Sequence, residues 1–290
     1  MYINALERRI SGHTLEKVLV VNPFVLRSVD PPLSATHGQR VTGIRRLGKR
    51  IVLVLGGDLF LIVHLMIAGR LKWFAKPPKP NRRLWLTAFV FEHGTLVLTE
   101  AGSKRRASLY VVRGETGLHA HDRGGLEVLE ASPAAFAERL RSENHTVKRA
   151  LADPRLFSGI GNAYSDEILH AARLSPMLLT KKMTDAQVAT LHAAAQSTLR
   201  HWIELLSRET GDGFPEKVTA FRAEMAVHGK FGQPCPVCGA LVQRIRYADN
   251  ETDYCARCQT GGKRLADRGM SRLLGKDWPR DMDDLEVTPS

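Results

Sequence analysis

The chain has 290 residues, 43% of them hydrophobic and 25% charged, with 42 Lys and Arg against 30 Asp and Glu for a formal charge of +12. This is the composition of a soluble globular protein with room for two domains, and no run of about 18 apolar residues suggests a transmembrane helix. No secretory signal peptide is visible, so the cytoplasm is the expected location; the cationic excess favours an anionic partner, of which nucleic acid is the commonest.

The opening "MYINALERRI" places Ile3, Leu6 and Ile10 at i, i+3 and i+7, with Asn4, Arg8 and Arg9 on the other side. That spacing predicts an amphipathic helix stopped by Gly12, yet no Ser, Thr, Asp or Asn stands before it as a cap. The chain thus starts inside a helix. Strand-like segments follow in "LEKVLVVNPFVLRSV" and in "QRVTGIRRLGKRIVLVLGGDLFLIVHLMIAGRLKWF". "LWLTAFVFEHGTLVLTEAG" alternates, with His93-Gly94 at an expected hairpin turn, and "ASLYVVRG" is one more short strand. After its first helix this region is β-rich, as in a sandwich or barrel.

Near Ser132 the pattern becomes helical. Ser132 and Pro133 suit an N-cap and a first helical position, and Thr184 with Asp185 offers a cap for a later helix. "GDGFPEKVTAFRAEMAVHGKFGQP" is punctuated like a loop, and the charged end of the chain allows a short helix at 269–274 before an expected disordered tail. The fold class expected is α+β. Its parts are a β-sandwich with a leading helix over 1–125, a helical domain over 126–228, a zinc hairpin over 229–265, and a charged tail over 266–290.

All four cysteines lie in "CPVCGALVQRIRYADNETDYCARC". Cys235 and Cys238 are separated by two residues, as are Cys255 and Cys258, with sixteen residues between the pairs. This is the spacing of a tetrahedral four-thiolate zinc site, with the knuckles at the ends of a β-hairpin. A disulfide pair or unrelated thiols are the alternatives, and a cytosolic setting disfavours the disulfides. One structural zinc ion is expected. Four thiolates leave it no open position for catalysis. Arg244, Arg246, Arg257, Lys263 and Arg264 surround the motif with positive charge, which suits phosphates; a solvated basic face is the alternative.

In "LFSGIGNAYSDEILHAARLSP", Gly159 and Gly161 bracket Ile160, and a helix begins at about Asn162. Backbone N–H groups at such a start form an anion pocket, to which Asn162 can add its amide. A plain helix–helix turn would look similar.

Together, "SGIGNAYSDEILHAARLSP", the upstream "VKRALADP" and the four-cysteine hairpin after "VHGKFGQP" resemble the formamidopyrimidine-DNA glycosylase and endonuclease VIII family. "RRLGKRIVLVL" and "HLMIAGRLKWF" resemble matching first-domain segments, so the resemblance runs along nearly the whole chain. It implies a helix–two-turn–helix domain and a bifunctional enzyme of base-excision repair. Such an enzyme flips an oxidised base out of duplex DNA, attacks C1′ with an N-terminal proline amine, forms a Schiff base and cuts the strand as an AP lyase. The implied partner is double-stranded DNA with damaged bases or abasic sites, met by a monomer with no membrane association. Family members begin with a Pro-Glu leader that runs into the first helix; it is missing here, and a start site set too late is the expected reason. The alternative is a non-catalytic DNA lesion- or abasic-site-binding protein on the same scaffold. A zinc-ribbon protein on another basic fold is a third reading.

Residue by residue, Lys49 falls on the family lysine that touches phosphate and assists β-elimination. Asn162 falls on the Asn that binds lesion phosphates, Lys148 on a DNA-contacting Lys, and Glu167 on an acidic residue after the turn. Of the Met, Arg and Phe that fill the gap left by the flipped base, Arg106 is kept. Ile67, beside Met66, takes the place of the Met, and Ala107 that of the Phe. Asn250 stands where the family has a phosphate-binding Arg, a role Arg244 or Arg246 could fill from nearby. These departures imply a smaller wedge and altered lesion choice.

Overall fold

A computed structural model describes residues 1–265 except Pro77, Pro80, Ser103, Lys217, Ala248 and Asp249. The helix expected at 269–274 and the charged tail lie outside the described residues. The chain divides into two compact units, one of 1–123 with 205–218, the other of 124–204 with the chain from Thr219 onward.

The first unit opens with α1 (Tyr2–Ile10) and continues through β1 (Thr14–Val20), β2 (Gln39–Leu47), β3 (Arg50–Leu55), β4 (Leu59–His64), β5 (Gly69–Phe74), β6 (Trp85–Phe91), β7 (Gly94–Glu100) and β8 (Ser108–Arg113). A short helix, α2 (Gly114–His119), follows. The strands pair antiparallel in the order β5-β7-β6-β1-β2-β3-β4-β8. β1 and β2 share only the pairs Thr14↔Arg40 and Leu15↔Gln39. That short corner lets the two halves close as a sandwich over one core, built from residues such as Leu15, Leu53, Leu61, Leu71, Phe89 and Leu109.

α1 puts Leu6 and Ile10 fully into this core, each contributing about 2 kcal/mol of burial. No side chain caps its start. Its outer face is covered by the segment after the last long helix. Arg8 donates to the Gly211 carbonyl at 2.8 Å and Arg9 to that of Asp212 at 2.9 Å, while Phe214 packs 5.7 Å from the Tyr2 ring.

β3 and β4 read as unbroken apolar runs because both faces are buried. Leu53 and Leu61 face the sandwich core, whereas Val52, Phe60 and Ile62 pack with Leu118 of α2. The β6–β7 hairpin turns one residue earlier than the sequence suggested. Phe91 pairs with Gly94, leaving Glu92 and His93 in the turn. Gly94 is there because a Cβ would come within 2.3 Å of the Trp73 ring.

The second unit contains α3 (Pro133–Arg141), α4 (Val147–Ala152), α5 (Asn162–Ala171) and the first part of α6 (Asp185–Thr210), then β9 (Gln243–Arg246), β10 (Glu251–Tyr254) and α7 (Ala256–Thr260). The Ser132 hydroxyl accepts the Ala135 N–H at 3.2 Å, as an N-cap should. Thr184 and Gln187 form a reciprocal capping box at the start of α6, with bonds of 3.2 and 2.9 Å. Phe136, Leu151, Phe157, Leu169 and Leu191 fill the helical core. Ile160 is fully buried between its two glycines, and Gly159 adopts φ +81° to allow the turn into α5.

Candidate nucleic-acid interface

In the first unit, the register Arg50↔His64↔Ser108 aligns one end of β3, β4 and β8. Neighbouring strands lie about 4.8 Å apart, so the residues just beyond these three share one edge of the sheet. Lys49 precedes Arg50, Met66 and Ile67 follow His64, and Arg106 precedes Ser108. Four positions singled out in the sequence, Lys49, Met66, Ile67 and Arg106, therefore collect at one end. The turn after His64 is tight: Gly69 N–H donates to the Leu65 carbonyl at 2.9 Å, and a Cβ on Gly69 would come within 2.2 Å of that oxygen. The turn holds Met66 at φ +54° and leaves Ile67 79% exposed.

This edge is cationic. Lys49 is exposed, yet desolvation by the surrounding protein pushes its ammonium below the usual lysine value. Desolvation, then the charges of Arg50 and Lys49, pushes His64 down to about 4, so its ring is neutral near pH 7. Arg50 donates to the His121 carbonyl at 3.1 Å. Arg106 is itself exposed, but its backbone is clamped: the buried Glu100 carboxylate accepts the N–H of Arg106 at 2.9 and 3.0 Å and that of Ala107 at 3.0 Å. Ala107 is consequently 3% exposed and part of the core.

In the second unit, Lys148 and Asn162 are brought together. The Lys148 ammonium donates to the Asn162 carbonyl at 2.7 Å and to Asp166 Oδ1 at 2.5 Å, and the residue is 8% exposed. Burial pushes this lysine down and Asp166 up, and each partly restores the charge of the other. The network continues. His228 Nδ1 lies 2.9 Å from Asp166 Oδ2 and 4.0 Å from Asp253 Oδ2. Asp253 in turn accepts Arg244 Nε at 3.0 Å and the Gly229 N–H at 2.7 Å. Arg244 also pairs with Glu251 at 3.0 Å and lies over the Phe231 ring. Asn162 Nδ2 donates to the Glu251 carbonyl at 2.9 Å, tying the start of α5 to β10. Glu167, buried on α5, accepts the N–H groups of Ala226, Val227 and His228 at 2.8 to 2.9 Å.

The four cysteine sulfurs converge. Cys238 and Cys255 Sγ lie 3.4 Å apart, Cys235 and Cys258 Sγ 3.9 Å. Four sulfurs about 2.3 Å from a tetrahedral ion would be roughly 3.8 Å from one another. β9 and β10 pair antiparallel between the knuckles, as the spacing implied. The residues fit a structural zinc held by Cys235, Cys238, Cys255 and Cys258.

Comparison with known proteins covers both units. Three family models match: the formamidopyrimidine-DNA glycosylase N-terminal domain over 1–107, its H2TH domain over 127–211, and the zinc finger found in FPG and IleRS over 232–261. The formamidopyrimidine-DNA glycosylase of Thermus thermophilus is 31% identical over 264 residues, spanning 87% of this chain and 93% of that one. The chain belongs to the formamidopyrimidine-DNA glycosylase family. A formamidopyrimidine-DNA glycosylase-like protein of Mycobacterium tuberculosis, described as uncharacterized, is 42% identical over 150 residues, which is 52% of this chain and 93% of that one. Among solved structures, Lactococcus lactis Fpg in complex with abasic-site DNA superposes with a TM-score of 0.78 at 25% identity, covering 89% of this chain and 96% of that one.

Within this formamidopyrimidine-DNA glycosylase family member, several groups that the sequence left open have defined positions. Arg244 is engaged within the second unit by Asp253, Glu251 and the Phe231 ring. Glu167 is a buried loop clamp rather than a surface carboxylate. Sequence reasoning missed His64, Glu100, Asp166, His228 and Asp253. The one local signal was polar residues inside otherwise apolar or β-rich stretches, as with His64 in "LFLIVHLM".

Proposed function

We propose that this protein is a DNA glycosylase with AP lyase activity, acting on oxidised bases in duplex DNA during base-excision repair. The observation that carries this reading is the sheet end of the first unit, where Lys49, His64, Ile67 and Arg106 collect in a chain of this family. Lys49 and Arg106 neutralise backbone phosphates at the lesion. Ile67, the apolar tip of its turn, enters the gap left by the flipped nucleotide. The nucleophile is the secondary amine of an N-terminal proline, followed by a glutamate, that runs into α1. That amine attacks C1′, releases the base and leaves a Schiff base, and Lys49, whose depressed pKa eases proton exchange, assists β-elimination. One zinc ion holds the hairpin. The protein works as a monomer in the cytoplasm, on the nucleoid.

Borohydride trapping tests this reading. Protein with an N-terminal Pro-Glu running into Tyr2 is incubated with duplex containing an oxidised base, and sodium borohydride is added. A covalent protein–DNA adduct is expected. A protein that prefers abasic over undamaged duplex yet never traps is instead a non-catalytic lesion-binding module.

A further inference from the structure

α5 ends on a buried histidine. In "DEILHAAR", His170 follows the fully buried Ile168 and Leu169 and is itself 6% exposed. A buried imidazole with no hydrogen-bond partner costs free energy, so an apolar helix face retains one only against a partner. Here the partner is a sulfur of the zinc site: His170 Nε2 lies 3.3 Å from Cys235 Sγ. A metal-bound thiolate has no proton to give. The ring N–H is therefore the donor, which fixes the tautomer.

Four thiolates around a divalent ion leave net negative charge inside the protein, and N–H···S bonds offset it. The knuckle turns supply local donors. The N–H groups of Val237 and Cys238 reach Cys235, that of Ala240 reaches Cys238, and that of Cys258 lies 3.5 Å from Cys255 Sγ. His170 instead comes from another element, 65 residues away in the chain. The second knuckle meets the same helix end through Gln259, which is also buried. Its Oε1 accepts the Cys255 N–H at 2.8 Å, and its Nε2 donates to the Leu174 carbonyl, just past α5, at 2.9 Å. Each cysteine pair is thereby tied to the end of α5 by one buried side chain.

We propose that His170 is a positioning residue for the metal: its Nε2–H holds the Cys235 thiolate in place, slows the loss of zinc and, with Gln259, fixes the hairpin on the end of α5. The role needs the N–H and not a charge on the ring. The inference goes beyond the DNA reading and rests on the four-thiolate zinc site alone.

The test compares zinc-loaded full-length protein with two variants. His170→Phe keeps an aromatic ring and loses the donor. His170→Gln returns an amide N–H to the place of Nε2, since both nitrogens lie the same number of bonds from Cβ. Zinc release to the chromophoric chelator pyridylazoresorcinol is expected to be about tenfold faster in His170→Phe and close to wild type in His170→Gln. A second readout is the thiolate-to-metal charge-transfer band of cobalt-substituted protein. A hydrogen bond stabilises the sulfur lone pairs, so the band should move to longer wavelength in His170→Phe and return in His170→Gln. Wild-type release with an unmoved band in His170→Phe would overturn the proposal. So would a His170→Gln protein that matches His170→Phe, because ring shape and not the N–H would then matter. Should His170→Phe fail to fold, His170→Gln decides: wild-type release and band position support the role, and faster release with a shifted band sinks it. Wild-type protein that binds neither metal would overturn the zinc site together with this inference and leave the DNA reading standing.

Discussion

Lys148 and Asp166 meet at 2.5 Å with both side chains inside the protein. The pair joins α4 to α5, and Asp166 passes the connection through His228 to Asp253 on the zinc hairpin. Cutting one partner out of such a buried pair leaves an uncompensated charge, at a cost of about 3–5 kcal/mol. Lys148→Met should therefore lower stability by that order, read as a shift of the urea midpoint. Lys148→Met combined with Asp166→Asn should recover part of the loss. A Lys148→Met protein as stable as wild type would show that the pair contributes nothing.

Cys238→Ser removes one of four sulfurs that converge at distances suited to zinc. We expect metal content, measured by atomic absorption, to fall well below that of wild type, and DNA affinity to fall with it, because binding of a structural ion is part of folding for so small a hairpin. Full metal content in the variant would exclude the four-thiolate site.

His64 gives the first unit an acid-sensitive term. Its folded-state pKa is about 4, below the usual value of 6.5. The unfolded chain therefore binds more protons between these values. The contribution is fully present above pH 6.5 and is lost as pH falls toward 4. Because the ring is partly exposed and screened, about 1 kcal/mol is the expected size. His64→Gln should flatten the stability profile between pH 6.5 and 4, measured by denaturant titration at several pH values. An unchanged slope would mean that the ring is solvated in the folded protein.

Lys49→Ala should abolish strand cutting in protein with an N-terminal Pro-Glu, while a heat-stable folded state and zinc content are kept. The readout is gel separation of nicked from intact duplex. Nicking at the wild-type rate would remove Lys49 from the elimination step.

Much of the scaffold was legible because local chemistry and tertiary packing agree. The period of α1, the Ser132 and Thr184 caps and the cysteine spacing each encode a structure within a few residues. What stayed hidden depends on contacts far apart in the chain. Nothing near Lys148 in sequence announces Asp166 or Asp253 as partners, so an apparently exposed helical lysine proves to be buried. Register hid the site edge in the same way: Lys49, Ile67 and Arg106 are neighbours only because Arg50, His64 and Ser108 align across three strands. The short helix α2 was also missed, since "GETGLH" carries two glycines and its one buried apolar residue, Leu118, finds its partners on the back of β3 and β4.

The Glu100 clamp decides which side chains position 107 accepts. By gripping the N–H groups of Arg106 and Ala107 from inside, the carboxylate keeps position 107 facing inward. A phenylalanine placed there would be forced into a filled core and overpack it. No single substitution at 107 therefore presents a large side chain to solvent at this turn. Doing so requires the loop to be released first, through Glu100, at the risk of leaving two N–H groups without acceptors. Position 107 is thus closed to bulk from the backbone inward, whereas the solvent-facing tip at Ile67, 79% exposed, is open to side chains of any size.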